Sequence, residues 1–125
     1  SKIMEGDNND MRFTNRISSP ITIEFLDPEE ENQELSISVD GNAITVSLAT
    51  DEEGEIISTA NKVKSAISDN EDANALVLVA NSANNNGTGI VTALAKFTVQ
   101  PGVWYTKMLN ILFQQQMIQR HCRQL

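Results

Sequence analysis

The sequence predicts an α+β fold: a mainly antiparallel sheet of about five or six strands with one helix packed on a face, plus a C-terminal helix. Three observations carry this. Apolar and polar residues alternate from Ile21 to Phe25 and again on both sides of Asp40-Gly41-Asn42, which is the period of a half-buried strand. The period changes to threes and fours between Ala60 and Ile67, the spacing of an amphipathic helix. From Trp104 to Leu125 apolar residues recur at alternating fours and threes, the mark of a second helix.

After a polar lead, Met11 and Phe13 mark a first short strand. Ile21, Ile23 and Phe25 alternate with Thr22 and Glu24 and form a second. Asp27-Pro28-Glu29-Glu30-Glu31-Asn32 reads as an acidic loop. Leu35, Ile37 and Val39 then alternate with serines, and Ile44, Val46 and Leu48 resume the pattern after Asp40-Gly41-Asn42. Two alternating runs around Asp-Gly predict a hairpin, with Gly41 supplying the positive φ of a tight turn. Ser58 or Thr59 caps the following helix. Ala60, Val63, Ala66 and Ile67 share its apolar face, and the helix ends near Asp69-Asn70. Leu76-Val77-Leu78-Val79 is a continuous apolar run that fits a central strand covered on both faces. A small polar loop, Asn81 to Gly89, follows. Ile90 to Val99 reads as the last strand, with Val91, Ala93, Ala95, Phe97 and Val99 on one side.

Composition sets the outer bounds. A chain of 125 residues suits one body rather than two separate cores. Seventeen acids against nine bases give a formal charge of −8, which argues against broad nucleic-acid or anionic-membrane binding. No apolar run reaches the roughly 20 residues of a membrane span, and the start is too polar for a secretory signal. The charge is divided: residues 1–103 hold every acid and six bases, and residues 104–125 hold Lys107, Arg120 and Arg123 and no acid. Pro101-Gly102 marks the joint as a turn. The reading is therefore a single α+β domain over 1–103 and an amphipathic tail over 104–125.

Trp104, Met108, Ile111, Gln115, Ile118, Cys122 and Leu125 form the a/d seam of that tail. Leu109, Leu112, Phe113 and Met117 widen it beyond a narrow stripe. An isolated helix of this kind is marginal in water and leaves hydrocarbon uncovered. The candidate interface is thus Trp104, Met108, Ile111, Leu112, Gln115, Ile118, Cys122 and Leu125, docked on its own body or on another subunit. Gln115, a polar residue at a core position, fits a register-setting role in an oligomer.

The chain has few parts for chemistry. Its one cysteine, Cys122, excludes an internal disulfide, and its one histidine, His121, excludes most histidine metal sites. The two are neighbours, about 100° apart on a helix, and form no nucleophile–base pair. Asn84-Asn85-Asn86-Gly87-Thr88-Gly89 has the glycines of a phosphate cradle but lacks the Lys-Ser/Thr pair and a following helix. Asp27–Glu31 and Asp51–Glu55 are dense in carboxylates without the spacing of an EF-hand loop, so solvated loops are the first reading and a weak cation site the second. Asn86-Gly87-Thr88 matches the glycosylation sequon, which is short enough to arise by chance. No residue set calls for a cofactor or a metal, and no catalytic residue is expected.

One stretch carries a family resemblance. Residues 34–99 run as a strand, Gly41-Asn42, a second strand closing on Leu48-Ala49-Thr50-Asp51, and Ser58-Thr59-Ala60 opening a helix. They continue with Ala75-Leu76-Val77 and Gly87-Thr88-Gly89 before the last strand. Together with Asn8-Asn9-Asp10 and Ile21-Thr22-Ile23-Glu24-Phe25-Leu26-Asp27-Pro28 this text resembles a module of phage and prophage structural proteins, over about residues 8–99. The resemblance implies a non-enzymatic virion component: a head decoration, head fibre or tail-associated protein. It implies a place in the virion, or in the bacterial cytoplasm when expressed from a prophage. The implied partners are copies of the chain itself or capsid and tail proteins, with no nucleic acid and no membrane. The text departs from the module at Gly102-Val103-Trp104-Tyr105-Thr106, where such modules continue with a Gly-Gly-Val-Asp-Gly-Thr-like turn. Residues 44–79 also look like insertion modules of flagellin-type proteins, without the long helical arms of those proteins. A small binding domain with its site near the acidic loops is the remaining alternative.

Overall fold

The computed structural model describes residues 2–101. The candidate interface from Trp104 to Leu125 lies outside the described residues, as do His121 and Cys122. The elements are β1 (Met11–Asn15), β2 (Ile21–Leu26), β3 (Ser36–Asp40), β4 (Ala43–Ser47), α1 (Ala60–Asp69), α2 (Glu71–Leu76), β5 (Val77–Asn81) and β6 (Leu94–Val99). The class is α+β, as expected. The strands divide between two sheets: a four-stranded one in the order β3-β4-β2-β6, and an antiparallel pair, β1-β5. All pairings are antiparallel except β2 with β4.

Alternation builds the core directly. Cross-strand register aligns Val39, Ile44, Ile23 and Phe97 in one row, and Ile37, Val46, Phe25 and Leu94 in the next. Both rows face inward, and Ile21, Ile23, Phe25, Ile44 and Val46 are buried. Met11, Val77 and Val79 from the small sheet, Val63 and Ile67 from α1, and Val91 from the last loop close the other side. Phe13 of β1 meets Phe25 edge-on at 6.2 Å and Phe97 at 5.5 Å between ring centroids, and so ties one sheet to the other. The opposite face of the large sheet carries Thr22, Glu24, Ser36, Ser38, Asp40, Thr45 and Thr98, the polar half of the same alternation.

The hairpin forms as read. Asp40 pairs with Ala43, so the loop is two residues, Gly41 and Asn42. Positive φ falls at Gly41 (+60°) and not at Asn42, the pattern of a type II′ turn. Thr59 caps α1, its side chain accepting from the Lys62 N–H. Ser58 instead faces inward and accepts from the Ala49 N–H at 2.8 Å.

Three expectations are corrected. Leu76-Val77-Leu78-Val79 is not a central strand: Leu76 ends α2, β5 pairs with β1 alone, and Leu78 is 48% exposed. The run looked continuous because a helix end and a one-faced strand abut within it. The helix α2 was not expected. Asn70 ends α1 and at once starts α2, its side chain accepting from the Ala73 N–H. Glu71 and Asp72 fill the first turn, where carboxylates favour a helix N-terminus. The last strand begins at Leu94, not Ile90, and a register shift opposite Ile23–Phe25 puts Leu94 rather than Ala93 or Ala95 on the inner face. A bulge of this kind breaks strict alternation.

Candidate functional site

Two parts of the chain far apart in sequence meet in space. Residues 5–10, the loop 82–90 and the start of α1 form one junction of amides and carbonyls. The Asn9 side chain is fully buried and donates from Nδ2 to the carbonyls of Glu5 (2.6 Å) and Ile90 (2.9 Å). Asn85 Oδ1 accepts from the Asp10 N–H, and Asp10 Oδ1 accepts from the Met4 N–H. The Ser82 N–H donates to the Asp10 carbonyl and the Gly89 N–H to the Asn8 carbonyl.

This junction settles what the Gly-rich loop does. Gly87 and Gly89 aim their carbonyls at the first turn of α1, accepting from the N–H groups of Asn61 (2.9 Å) and Ala60 (3.0 Å). These donors have no partner inside the helix, and they are the donors a phosphate would need. The chain's own carbonyls hold them, so the loop is a clasp over the helix start. Both glycines are required by space. A Cβ at Gly87 would fall within 3.0 Å of the Asn61 side chain, and one at Gly89 within 3.0 Å of the Asp7 carbonyl oxygen. Asn61 completes the clasp, donating from Nδ2 to the Asn86 carbonyl at 3.1 Å.

Sequence reasoning missed Asn9, Asn61 and Asn81 as structural amides. The available signal was asparagine density at residues 8–9 and 81–86. Two amide oxygens here, Asn9 Oδ1 and Asn81 Oδ1, are buried without a hydrogen-bond partner among the described residues. The junction's side-chain hydrogen bonds run from the Asn9, Asn61 and Asn85 amides and the Asp10 carboxylate to backbone groups, and they order the chain.

The two acidic loops come together at the C-terminal ends of β2 and β4. Thr50 is buried and ties them: its Oγ1 donates to the Glu30 carbonyl at 2.6 Å and accepts from the Gln33 N–H at 3.0 Å. The Asn32 N–H donates to the Asp51 carbonyl. Asp51 Oδ1 accepts from the N–H groups of Glu53 and Glu55, an ordinary turn. Glu29, Glu30, Glu31, Glu52, Glu53 and Glu55 are exposed. Among the described residues no group of three or more Asp, Glu, His or Cys side chains is placed to hold a metal ion.

Two hollows remain. One, of about 230 Å³, is lined by Leu35, Ala49, Ile57, Ser58 and Lys62. The other, of about 320 Å³, lies where β1 and β6 converge and is lined by Lys2, Phe13, Phe97, Thr98, Val99 and Gln100. The Lys2 ammonium sits 4.6 Å from the Phe97 ring centroid, a cation–π contact. Asn15 closes the far end, donating from Nδ2 to the Val99 carbonyl at 3.0 Å and pairing with Pro101. Among the described residues no helix is long and apolar enough to cross a membrane. Comparison with known proteins gives no match: no family model, no curated protein and no solved structure is similar to this chain.

Proposed function

We propose that this chain is a non-enzymatic assembly module, of the kind found in phage and prophage particles, that works through protein–protein contacts. The observation that carries the reading is the completeness of the body's core. Its buried apolar cluster runs from Met4 to Val91, with Leu94, Phe97 and Val99 packed against it. The sequence from Met108 to Leu125 adds a further apolar stripe, which this reading assigns to a partner surface. An apolar stripe of that size on a protein surface marks a contact site. The motif residues that carry the phage resemblance support the same reading. Gly41, Thr59, Asn9, Gly87 and Gly89 all have folding tasks, and none converges with others on a cleft.

The partner is a second copy or a capsid or tail protein, gripped by Met108, Ile111, Leu112, Gln115, Ile118, Cys122 and Leu125. Light scattering on the full chain and on Ile118→Asp tests it. The full chain associates with itself, or binds particles or capsid and tail proteins of a related phage. The variant does neither, with an unchanged circular dichroism spectrum. A full chain that stays monomeric and captures no virion protein, or an Ile118→Asp variant that behaves as the parent does, overturns the proposal.

A further inference from the structure

We propose that Asn86 is a site of spontaneous covalent modification: its side-chain amide closes on the Gly87 nitrogen to a cyclic imide, and hydrolysis of that imide opens the clasp over α1. Asn86-Gly87 is the only Asn-Gly pair in the chain. Glycine has no side chain to hinder attack of its backbone nitrogen on the preceding asparagine. The fold adds three conditions. Asn86 is exposed, and its Nδ2, the leaving group, makes no hydrogen bond among the described residues. The Gly87 N–H, the nucleophile, has no hydrogen-bond partner among the described residues either. Asn86 Oδ1 by contrast accepts twice, from the Thr88 N–H at 3.1 Å and from the Thr88 hydroxyl at 2.7 Å. A backbone N–H can only donate, so the atom it meets is the oxygen and the orientation of the amide is fixed.

The two Thr88 donors draw charge from Cγ and stand where an oxyanion develops as the nitrogen adds. Solvent base removes the Gly87 amide proton, the nitrogen bonds to Asn86 Cγ, and the oxyanion forms on Oδ1. The oxyanion collapses, the Cγ–Nδ2 bond breaks, and ammonia leaves with a proton from water. Water then opens the imide. Cleavage of the nitrogen–Cγ bond gives aspartate, and cleavage of the bond to the main-chain carbonyl carbon gives isoaspartate. The sum is amide plus water to carboxylate plus ammonia, and no oxidant or cofactor enters. The two products differ at the clasp. Aspartate keeps the main chain, and its carboxylate still accepts from Thr88. Isoaspartate runs the chain through Cβ and Cγ and so inserts one methylene before Gly87. Gly87 is buried against Asn61, its carbonyl held at 2.9 Å from the Asn61 N–H, while the Asn86 carbonyl accepts from Asn61 Nδ2 at 3.1 Å. A lengthened chain cannot keep both bonds. This inference uses no part of the tail and does not rest on the assembly role.

The test incubates the full chain at neutral and mildly alkaline pH and maps its peptides by mass, with isoaspartyl methyltransferase labelling to separate the two products. Asn86 is the first asparagine to react, and its rate rises with pH. Thr88→Ala slows the reaction several-fold in the folded protein, whereas Thr88→Ser, which keeps the hydroxyl, does not. In urea the parent and Thr88→Ala react at the same rate. The isoaspartate form has a lower Tm than Asn86→Asp, which carries the same charge on an unaltered main chain. Circular dichroism checks folding of the variants, and if Thr88→Ala does not fold, the parent compared folded and in urea still decides. Asn86 that stays intact in the folded protein while it reacts in urea overturns the proposal. So does a folded Thr88→Ala that reacts as fast as the parent, or an isoaspartate form that melts with Asn86→Asp.

Discussion

Replacing Gly89 by alanine tests the clasp over α1 more directly than any other change. The Gly89 carbonyl accepts from the Ala60 N–H and its own N–H donates to the Asn8 carbonyl, both at 3.0 Å. A Cβ at this position falls within 3.0 Å of the Asp7 carbonyl oxygen, a backbone atom that moves only if residues 7–8 move. Each bond contributes about 1 kcal/mol net, and freeing the α1 donor without replacing its acceptor adds up to about 2 kcal/mol more. Gly89→Ala therefore costs about 2–4 kcal/mol. For a body of this size that lowers Tm by roughly 10–25 °C. Gly41→Ala is the matched control, because Gly41 sits at φ +60° with nothing within 4 Å of a built Cβ. It carries backbone strain alone, about 1 kcal/mol. Thermal unfolding followed by far-ultraviolet circular dichroism compares the two. If Gly89→Ala melts within about 2 °C of Gly41→Ala, the clasp is not a stabilising contact and the reasoning fails.

Phe25 is buried to 1% and holds Phe13 edge-on, so Phe25→Ala costs about 3–5 kcal/mol in urea unfolding, whereas Leu78→Ser, at a residue 48% exposed, stays within about 0.5 kcal/mol. A large loss at Leu78 would restore the two-faced strand. Asn9→Ala removes the donor to two carbonyls and lowers stability by about 2–3 kcal/mol, measured by the denaturant midpoint. Thr59→Ala loses a helix cap and costs about 1 kcal/mol. Ser58→Ala costs at least as much, because its buried hydroxyl is the acceptor for the Ala49 N–H. Calcium in large excess raises Tm by less than about 1 °C, since mass-action stabilisation needs a formed site; a concentration-dependent rise would reveal one in the acidic loops.

Legibility in the sequence followed the range of the forces involved. Period-two alternation named β2, β3 and β4 with their inward residues, since a strand's faces are set by neighbours two apart. The helix α1 was equally plain, from its cap to its apolar face. The strand order was not, because nothing in Ile21–Phe25 states that β4 lies on one side of it and β6 on the other. Nor was the bulge in β6, which moves Leu94 inward only relative to β2. Asn70 hid α2 by serving two helices at once. The junction was least legible. Asn9 and Ile90 are 81 positions apart, and an asparagine bound to two distant carbonyls looks in sequence like any loop residue.

The motif residues that stood out in the sequence are ones the fold holds in place. Gly41 answers to backbone angle, Thr59 to a helix start, Gly87 and Gly89 to space, and Asn9 to two carbonyls that would otherwise lie buried and unpaired. Such constraints act on any protein that uses this architecture, whatever it grips. A likeness resting on them transmits the architecture first and the partner only by association. Partner choice must then reside in residues free of folding tasks. Among the described residues those are the Ser/Thr face of the large sheet and the exposed glutamates of the two joined loops. The tail carries +3 beside a body of −11. Under the proposed assembly role, that difference steers encounter and weakens with salt, whereas the apolar stripe from Met108 to Leu125 would supply the holding energy and would not weaken. Association that survives high salt but is lost in Ile118→Asp is the signature of that division. Association abolished by salt alone would place the grip in the charges instead.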